Sequence, residues 1–147
     1  MNITIVAVGK LKPSPLLSLI QDYLIQLHWK VLIKELDSKE EARPTFAEKF
    51  ISLIPKNAFL IALDEKGTSL SSLEFAHSIE KWQTQGESHL CFLIGAAGGL
   101  PSIAKQKAQL IISFGRATWP HMMARLLLVE QLYRAQQILD GHPYHRE

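Results

Sequence analysis

Three of the six histidines, His121, His142 and His145, fall within the last 27 of 147 residues, close to Arg125, Arg134 and Arg146. A neutral imidazole can take a proton from an acidic N–H, and an arginine beside it can stabilise the charge left behind. His121 follows Pro120 at the start of an apolar run with helical spacing. At a helix N-terminus the dipole disfavours the protonated ring, which suits a general base; a capping role suits the same position equally well. His142, Tyr144, His145 and Arg146 lie within five residues of one another. That is more stacking and hydrogen-bonding capacity than a chain end needs, although a solvated tail accounts for it too. No His pair has i, i+4 spacing on a helix and cysteines are not paired, so no metal site is expected.

A second group of residues is marked by glycine. Gly95-Ala96-Ala97-Gly98-Gly99 directly follows the apolar run Leu90 to Ile94. Counting from Gly95, a dinucleotide fingerprint needs glycine at the third and sixth places, where Ala97 and Leu100 stand, and no Gly-Lys-Ser/Thr of a phosphate loop follows. The cluster reads either as a strand-to-helix turn or as a place where backbone approaches a ligand. Asp64, at the end of another apolar run, either hydrogen-bonds a ligand hydroxyl or orders its own loop. Cys91 sits inside an apolar strand and reads as inert core, and Met122 and Met123 as core or interface fillers.

The elements that position these groups follow from periodicity. Short β-branched runs predict strands at Ile3 to Val8, Val31 to Leu36, Ala58 to Leu63, Leu90 to Ile94 and Leu110 to Ile112. Ser14-Pro15 caps a helix carrying Leu16, Leu17, Ile20, Leu24 and Leu27; Pro44-Thr45 opens a second that stops before Pro55. Ser71 and Glu74 have capping-box spacing for a helix to about Gln85, Pro101 begins a short one, and a long one spans about His121 to Leu139. The alternation predicts one α/β domain over 1–147, a mostly parallel sheet flanked by helices. Ligands bind such sheets beyond the carboxyl ends of strands, where segments 64–70, 95–100 and 113–120 would gather. The last helix is apolar on nearly every face, so it needs cover on more than one side; a second copy of the chain, giving a homodimer, is the preferred account over burial within one chain.

Composition excludes several classes. With 47% apolar and 20% charged residues the chain is an ordinary globular one, long enough to bury a core without staples. Cys91 is the sole cysteine, which rules out an intrachain disulfide and suits a reducing cytoplasm. No apolar run reaches the ~18 residues of a membrane span, and the first ten residues lack a secretory pattern. A net charge of +2, from 16 basic and 14 acidic residues, does not by itself argue a nucleic-acid partner.

Four segments, Val6 to Lys12, Ala62 to Gly67, Phe92 to Leu100 and Ala117 to Glu147, together resemble the ribosomal large-subunit pseudouridine N3-methyltransferase family, RlmH, of the SPOUT or α/β-knot class. The resemblance spans essentially the whole chain, and its most specific part is Leu-Tyr-Arg-Ala followed by the terminal His-Pro-Tyr-His-Arg-Glu. It implies a C-terminal trefoil knot, a homodimer through the last helix, S-adenosylmethionine as methyl donor without a metal, and as acceptor a pseudouridine in helix 69 of 23S rRNA in the 70S ribosome. Matching cofactor positions are Leu63, Gly95, Ala96, and Phe114, Gly115, Arg116, Ala117, Thr118 and Trp119. Arg134, Tyr144 and His145, with His121 next in line, take the acceptor side. Two departures from the family pattern stand out: Ala96 where glycine is common, and Ser113-Phe114-Gly115 where Ser-Leu-Ser is common, which removes a hydroxyl at 115. A catalytically silent ribosome-binding protein of the same fold and a different nucleotide-binding enzyme are the competing readings.

Overall fold

The computed structural model describes residues 1–146; Glu147, the last residue of the terminal motif, lies outside the described residues. The strands are β1 (Asn2–Val8), β2 (Lys30–Leu36), β3 (Phe59–Ser69), β4 (His89–Ile94) and β5 (Leu110–Ser113). The helices are α1 (Pro15–Gln26), α2 (Phe46–Ser52), α3 (Ser72–Thr84), α4 (Ser102–Lys107) and α5 (His121–Leu139), with a 3-10 turn at Ser38–Ala42. One five-stranded sheet results, in the order β2-β1-β4-β3-β5, with every pairing parallel. Among the described residues no helix is long and apolar enough to cross a membrane.

Both faces of the sheet are covered, which explains why the strands read as continuous apolar runs. Ile3, Ile5 and Ala7 of β1 and Leu90, Phe92 and Ile94 of β4 face the layer built from α1, α3 and α5. The alternate residues Val6, Val8, Cys91 and Leu93 face α2 and α4, meeting Phe50 and Ala104. Local signals set the helix ends as expected. The Ser14 hydroxyl accepts from Leu17 N at 3.2 Å. Ser71 Oγ accepts from Glu74 N at 3.1 Å while Glu74 Oε2 accepts from Ser71 N at 2.8 Å, closing a capping box. Ser71→Ala is expected to cost about 1 kcal/mol in a denaturant titration, with an unchanged slope, because one orphan N–H of α3 loses its partner.

The principal difference from the sequence-based expectation lies in β3. Instead of ending at Leu63 it rejoins β5 after an excursion: Leu63 and Thr68 both stand opposite Ile112, and 64–67 bulge out between them. Gly67 makes the return possible, since a Cβ there would lie 2.7 Å from the Ile112 carbonyl carbon. Helix α5 has the predicted bounds, and its buried line Leu128, Val129, Leu132 and Ala135 packs under α1 and α3. Cover is incomplete near its start, where Met123 is 38% exposed.

Candidate functional site

The bulge of β3 and the carboxyl ends of β4 and β5 open into one cleft of about 720 Å³. Its apolar wall comes from Leu63, Ile94, Leu100, Ile112, Phe114, Ala117 and Trp119, its rim from His121 and Ala124 of α5, and its polar groups from Asp64, Glu65, Lys66, Lys105 and the backbone of 95–99. This size and the mixture of apolar wall with few polar groups suit a nucleoside-sized ligand.

Each wall is held by its own bonds. Asp64 Oδ1 accepts from Lys66 N at 2.8 Å, and Oδ2 pairs with Lys105 Nζ at 2.7 Å. The Lys105 ammonium and the Lys66 amide hold the Asp64 carboxyl below its ordinary range. Both oxygens are thus engaged within the protein, so the loop-ordering reading of Asp64 is the one the structure supports. Thr118 Oγ1 donates to Glu65 Oε2 at 2.6 Å, tying the 64–67 bulge to the loop before α5. Gly99 N donates to Ala96 O at 2.8 Å, closing the glycine segment into a tight turn. A Cβ on Gly95 would sit 2.5 Å from the Gly99 carbonyl carbon, so the turn forms only because position 95 has no side chain. In the last loop, Ser113 Oγ accepts from Gly115 N at 3.1 Å and also donates to the Gly115 carbonyl. The Ser113 hydroxyl therefore orders this loop without one at position 115.

Of the predicted cofactor positions, Leu63, Gly95, Ala96, Phe114, Gly115, Ala117, Thr118 and Trp119 line the cleft. Arg116 does not; its side chain is exposed. His121 joins them at the rim. Lys105 and Glu65 were not anticipated: nothing in their local sequence marks them, and only the docking of α4 and of the bulge brings them in.

Arg134, Tyr144 and His145 assemble elsewhere. Glu130 Oε1 accepts from Arg134 Nε at 3.0 Å, from Arg134 Nη2 at 2.7 Å and from the Tyr144 hydroxyl at 3.1 Å. Arg134 Nη1 donates to His145 Nδ1 at 3.1 Å, and the guanidinium carbon lies 4.9 Å from the Tyr144 ring centre. Tyr144 also packs edge-on to Tyr133, with ring centres 4.8 Å apart. Hydrogen bonding to Glu130 holds the guanidinium proton more firmly, and burial beside that carboxylate pushes the Tyr144 phenol up. Since a guanidinium only donates, His145 Nδ1 must offer its lone pair, and the neutral ring then carries its proton on Nε2. Glu130, four residues before Arg134, was missed although i, i+4 spacing of opposite charges is a readable signal. His142 is exposed, with Nδ1 accepting from Tyr144 N at 3.2 Å, and Arg146 is exposed as well.

Thirteen residues of α5 separate His121 from Arg134, about 20 Å of helix at 1.5 Å per residue. The two halves of the candidate site therefore lie toward opposite ends of α5 and do not meet within one chain. Cys91, by contrast, is buried and its thiol is pushed up to about 12 by burial. Native protein at pH 8 is expected to resist a thiol reagent that labels the denatured chain completely, as mass spectrometry would show.

The family described as predicted SPOUT methyltransferase matches residues 1–145. The ribosomal RNA large subunit methyltransferase H of Zymomonas mobilis is 44% identical over 147 residues, covering 100% of this chain and 99% of its own. Among solved structures, a probable methylase family protein from Haemophilus influenzae superposes with a TM-score of 0.59 at 11% identity, covering 99% of this chain and 70% of that one. The SpoU methyltransferase AviRb from Streptomyces viridochromogenes, solved with the cofactor AdoMet, gives 0.51 at 13% identity over 92% of this chain and 57% of its own. With its all-parallel sheet and the cleft at its carboxyl ends, the chain belongs to the SPOUT methyltransferases, in the ribosomal RNA large subunit methyltransferase H family.

Proposed function

We propose that this protein transfers a methyl group from S-adenosylmethionine to N3 of a pseudouridine in helix 69 of 23S rRNA, on the assembled 70S ribosome in the cytoplasm. The observation that carries the reading is the convergence of the β3 bulge and the loops after β4 and β5 on one cleft in a chain of this family. The cleft fits the donor: Phe114 and Trp119 offer aromatic faces, Leu63 and Ile112 an apolar floor, and 95–99 a backbone rim. We further read segments 64–70, 95–100 and 113–120 as the loops of a trefoil knot, through which the chain leading to α5 would thread.

When bound, S-adenosylmethionine supplies a sulfonium methyl open to in-line attack. The acceptor imide must first lose its N3 proton, whose pKa lies well above 7, and the anion spreads its charge over the flanking carbonyls. Arg134 is suited to hold that charge, since its guanidinium is already anchored by Glu130. His145 would take the proton at Nδ1 once its contact with Arg134 opens; Tyr144 stacks and orients, and His121 at the cleft rim is the second candidate base.

Because Arg134 lies about 15 Å along α5 from Ala124, the nearer of the two rim residues, the protein would act as a homodimer in which the tail of one copy reaches the cleft of the other. Exposed Trp119 and Met123 beside the cleft would be covered on association.

The test is transfer of labelled methyl to 70S ribosomes lacking the modification, followed by digestion to nucleosides. Labelled 3-methylpseudouridine is the expected product; binding of S-adenosylmethionine without transfer to that site would overturn the acceptor assignment. Mixing a Gly95→Val copy with an Arg134→Ala copy separates the two geometries. Shared sites regain transfer in the mixed dimer, whereas sites built within one chain stay silent.

A further inference from the structure

Arg125 lies in the second turn of α5, is only 2% exposed, and is among the largest fully buried side chains of the protein. Its Nη1 pairs with Glu35 Oε2 and its Nη2 donates to the Gly9 carbonyl at 3.0 Å, while Nε is buried without a partner among the described residues. Glu35 Oε2 also accepts from Leu11 N at 2.9 Å, and Gly9 N donates to Leu36 O at 2.7 Å. One guanidinium thus ties α5 to the ends of β1 and β2 and, through Glu35, to the loop that follows β1. That loop carries Lys10 and Lys12, both exposed, at the same end of the sheet as the cleft. His121, on the cleft rim, packs against the start of the loop: a Cβ on Gly9 would lie 3.0 Å from His121 Nε2.

A buried ion pair is weak support for stability, because an apolar pair of similar volume often serves as well. An incompletely satisfied guanidinium in the core is better accounted for by the geometry it enforces. We propose that Arg125 is a positioning residue for the RNA acceptor: with Glu35 it fixes the Lys10–Lys12 loop relative to the cleft, so that both lysines meet backbone phosphates at a set distance from the methyl donor. This rests on the rRNA methyltransferase reading above. No residue of 9–12 lines the cleft, whose wall comes from 63–66, 94–100, Lys105, 112–115, 117–121 and Ala124.

The experiment compares Arg125→Lys, Glu35→Gln and the double variant Lys10→Ala/Lys12→Ala with the wild type. It follows KM and kcat on 70S ribosomes lacking the modification, S-adenosylmethionine affinity, and equilibrium ribosome binding across salt concentrations. The double variant is expected to lower the log–log salt slope by about 2, roughly one for each phosphate left without its lysine, and to raise KM about tenfold or more. Arg125→Lys and Glu35→Gln should reproduce the KM rise and the smaller slope while kcat and donor affinity stay within about twofold of the wild type. Glu35, 29% exposed at its side chain, supplies the tolerant variant should Arg125→Lys fold poorly. Loss of thermal stability and donor affinity with an unchanged salt slope would overturn the proposal, leaving Arg125 a structural residue. So would a double lysine variant with the wild-type slope. If the wild type transfers no methyl, the methyltransferase reading fails separately, and the binding slopes still decide whether Arg125 positions the loop.

Discussion

Arg134→Ala is expected to slow methyl transfer by about 100- to 1,000-fold at saturating donor and acceptor, the usual cost of losing one preorganised group that stabilises a developing anion. S-adenosylmethionine affinity should stay within about twofold, because Arg134 is assigned to the acceptor and is not among the residues that line the donor cleft. The side chain is the hub of its cluster: it gives two hydrogen bonds to Glu130, one to His145, and a cation face to the Tyr144 ring. Removing it leaves the Glu130 carboxylate with the Tyr144 hydroxyl and Gln131. Arg134→Lys should recover little, since an ammonium cannot hold Glu130 through two nitrogens while donating to His145 in the same plane. Single-turnover methyl transfer and isothermal titration with the donor measure the two quantities separately. Transfer at the unmutated rate would remove Arg134 from the acceptor side.

The second large effect is expected at Gly95. A valine there would place its Cβ where the Gly99 carbonyl carbon lies 2.5 Å away and Leu100 N 2.7 Å away. Neither neighbour can yield as a flexible side chain would, so the 95–100 turn must open and the cleft loses one wall. Misplacement by about 1 Å can cost on the order of 100-fold in rate, and a loss at least this large in kcat/KM, with weakened donor binding, is the predicted result. Ala96→Gly is the matched control. Ala96 closes the turn through its backbone carbonyl, so restoring the family's more common glycine should change donor affinity by less than about threefold. Equal losses from both substitutions would mean that the turn is not what holds the wall.

The alternation of strands and helices, the capping box at Ser71 and the span of α5 were legible because they are local. Periods of two and 3.6 residues, a hydroxyl three residues before a glutamate, and a proline at a first turn act over one or two turns of chain. The same locality placed three glycine-marked segments after strands of a parallel sheet; the cofactor positions came from the family resemblance alone, and eight of those nine line the cleft. The motif at the C-terminus, read as a resemblance, carried the family.

What the local patterns did not contain was decided by docking. The placing of β4 between β1 and β3, the return of β3 to β5 past Gly67, and the union of Asp64 with Lys105 join residues far apart in sequence. Arg125 looked like one more charge on an apolar helix, and became a buried tie only once the ends of β1 and β2 met α5. The sequence by itself determined the elements, their faces and the set of chemical groups, because each rests on bonds between near neighbours. The tertiary structure alone decided which groups share a site, since that depends on the separation set by packing 19 residues of rigid helix against a sheet.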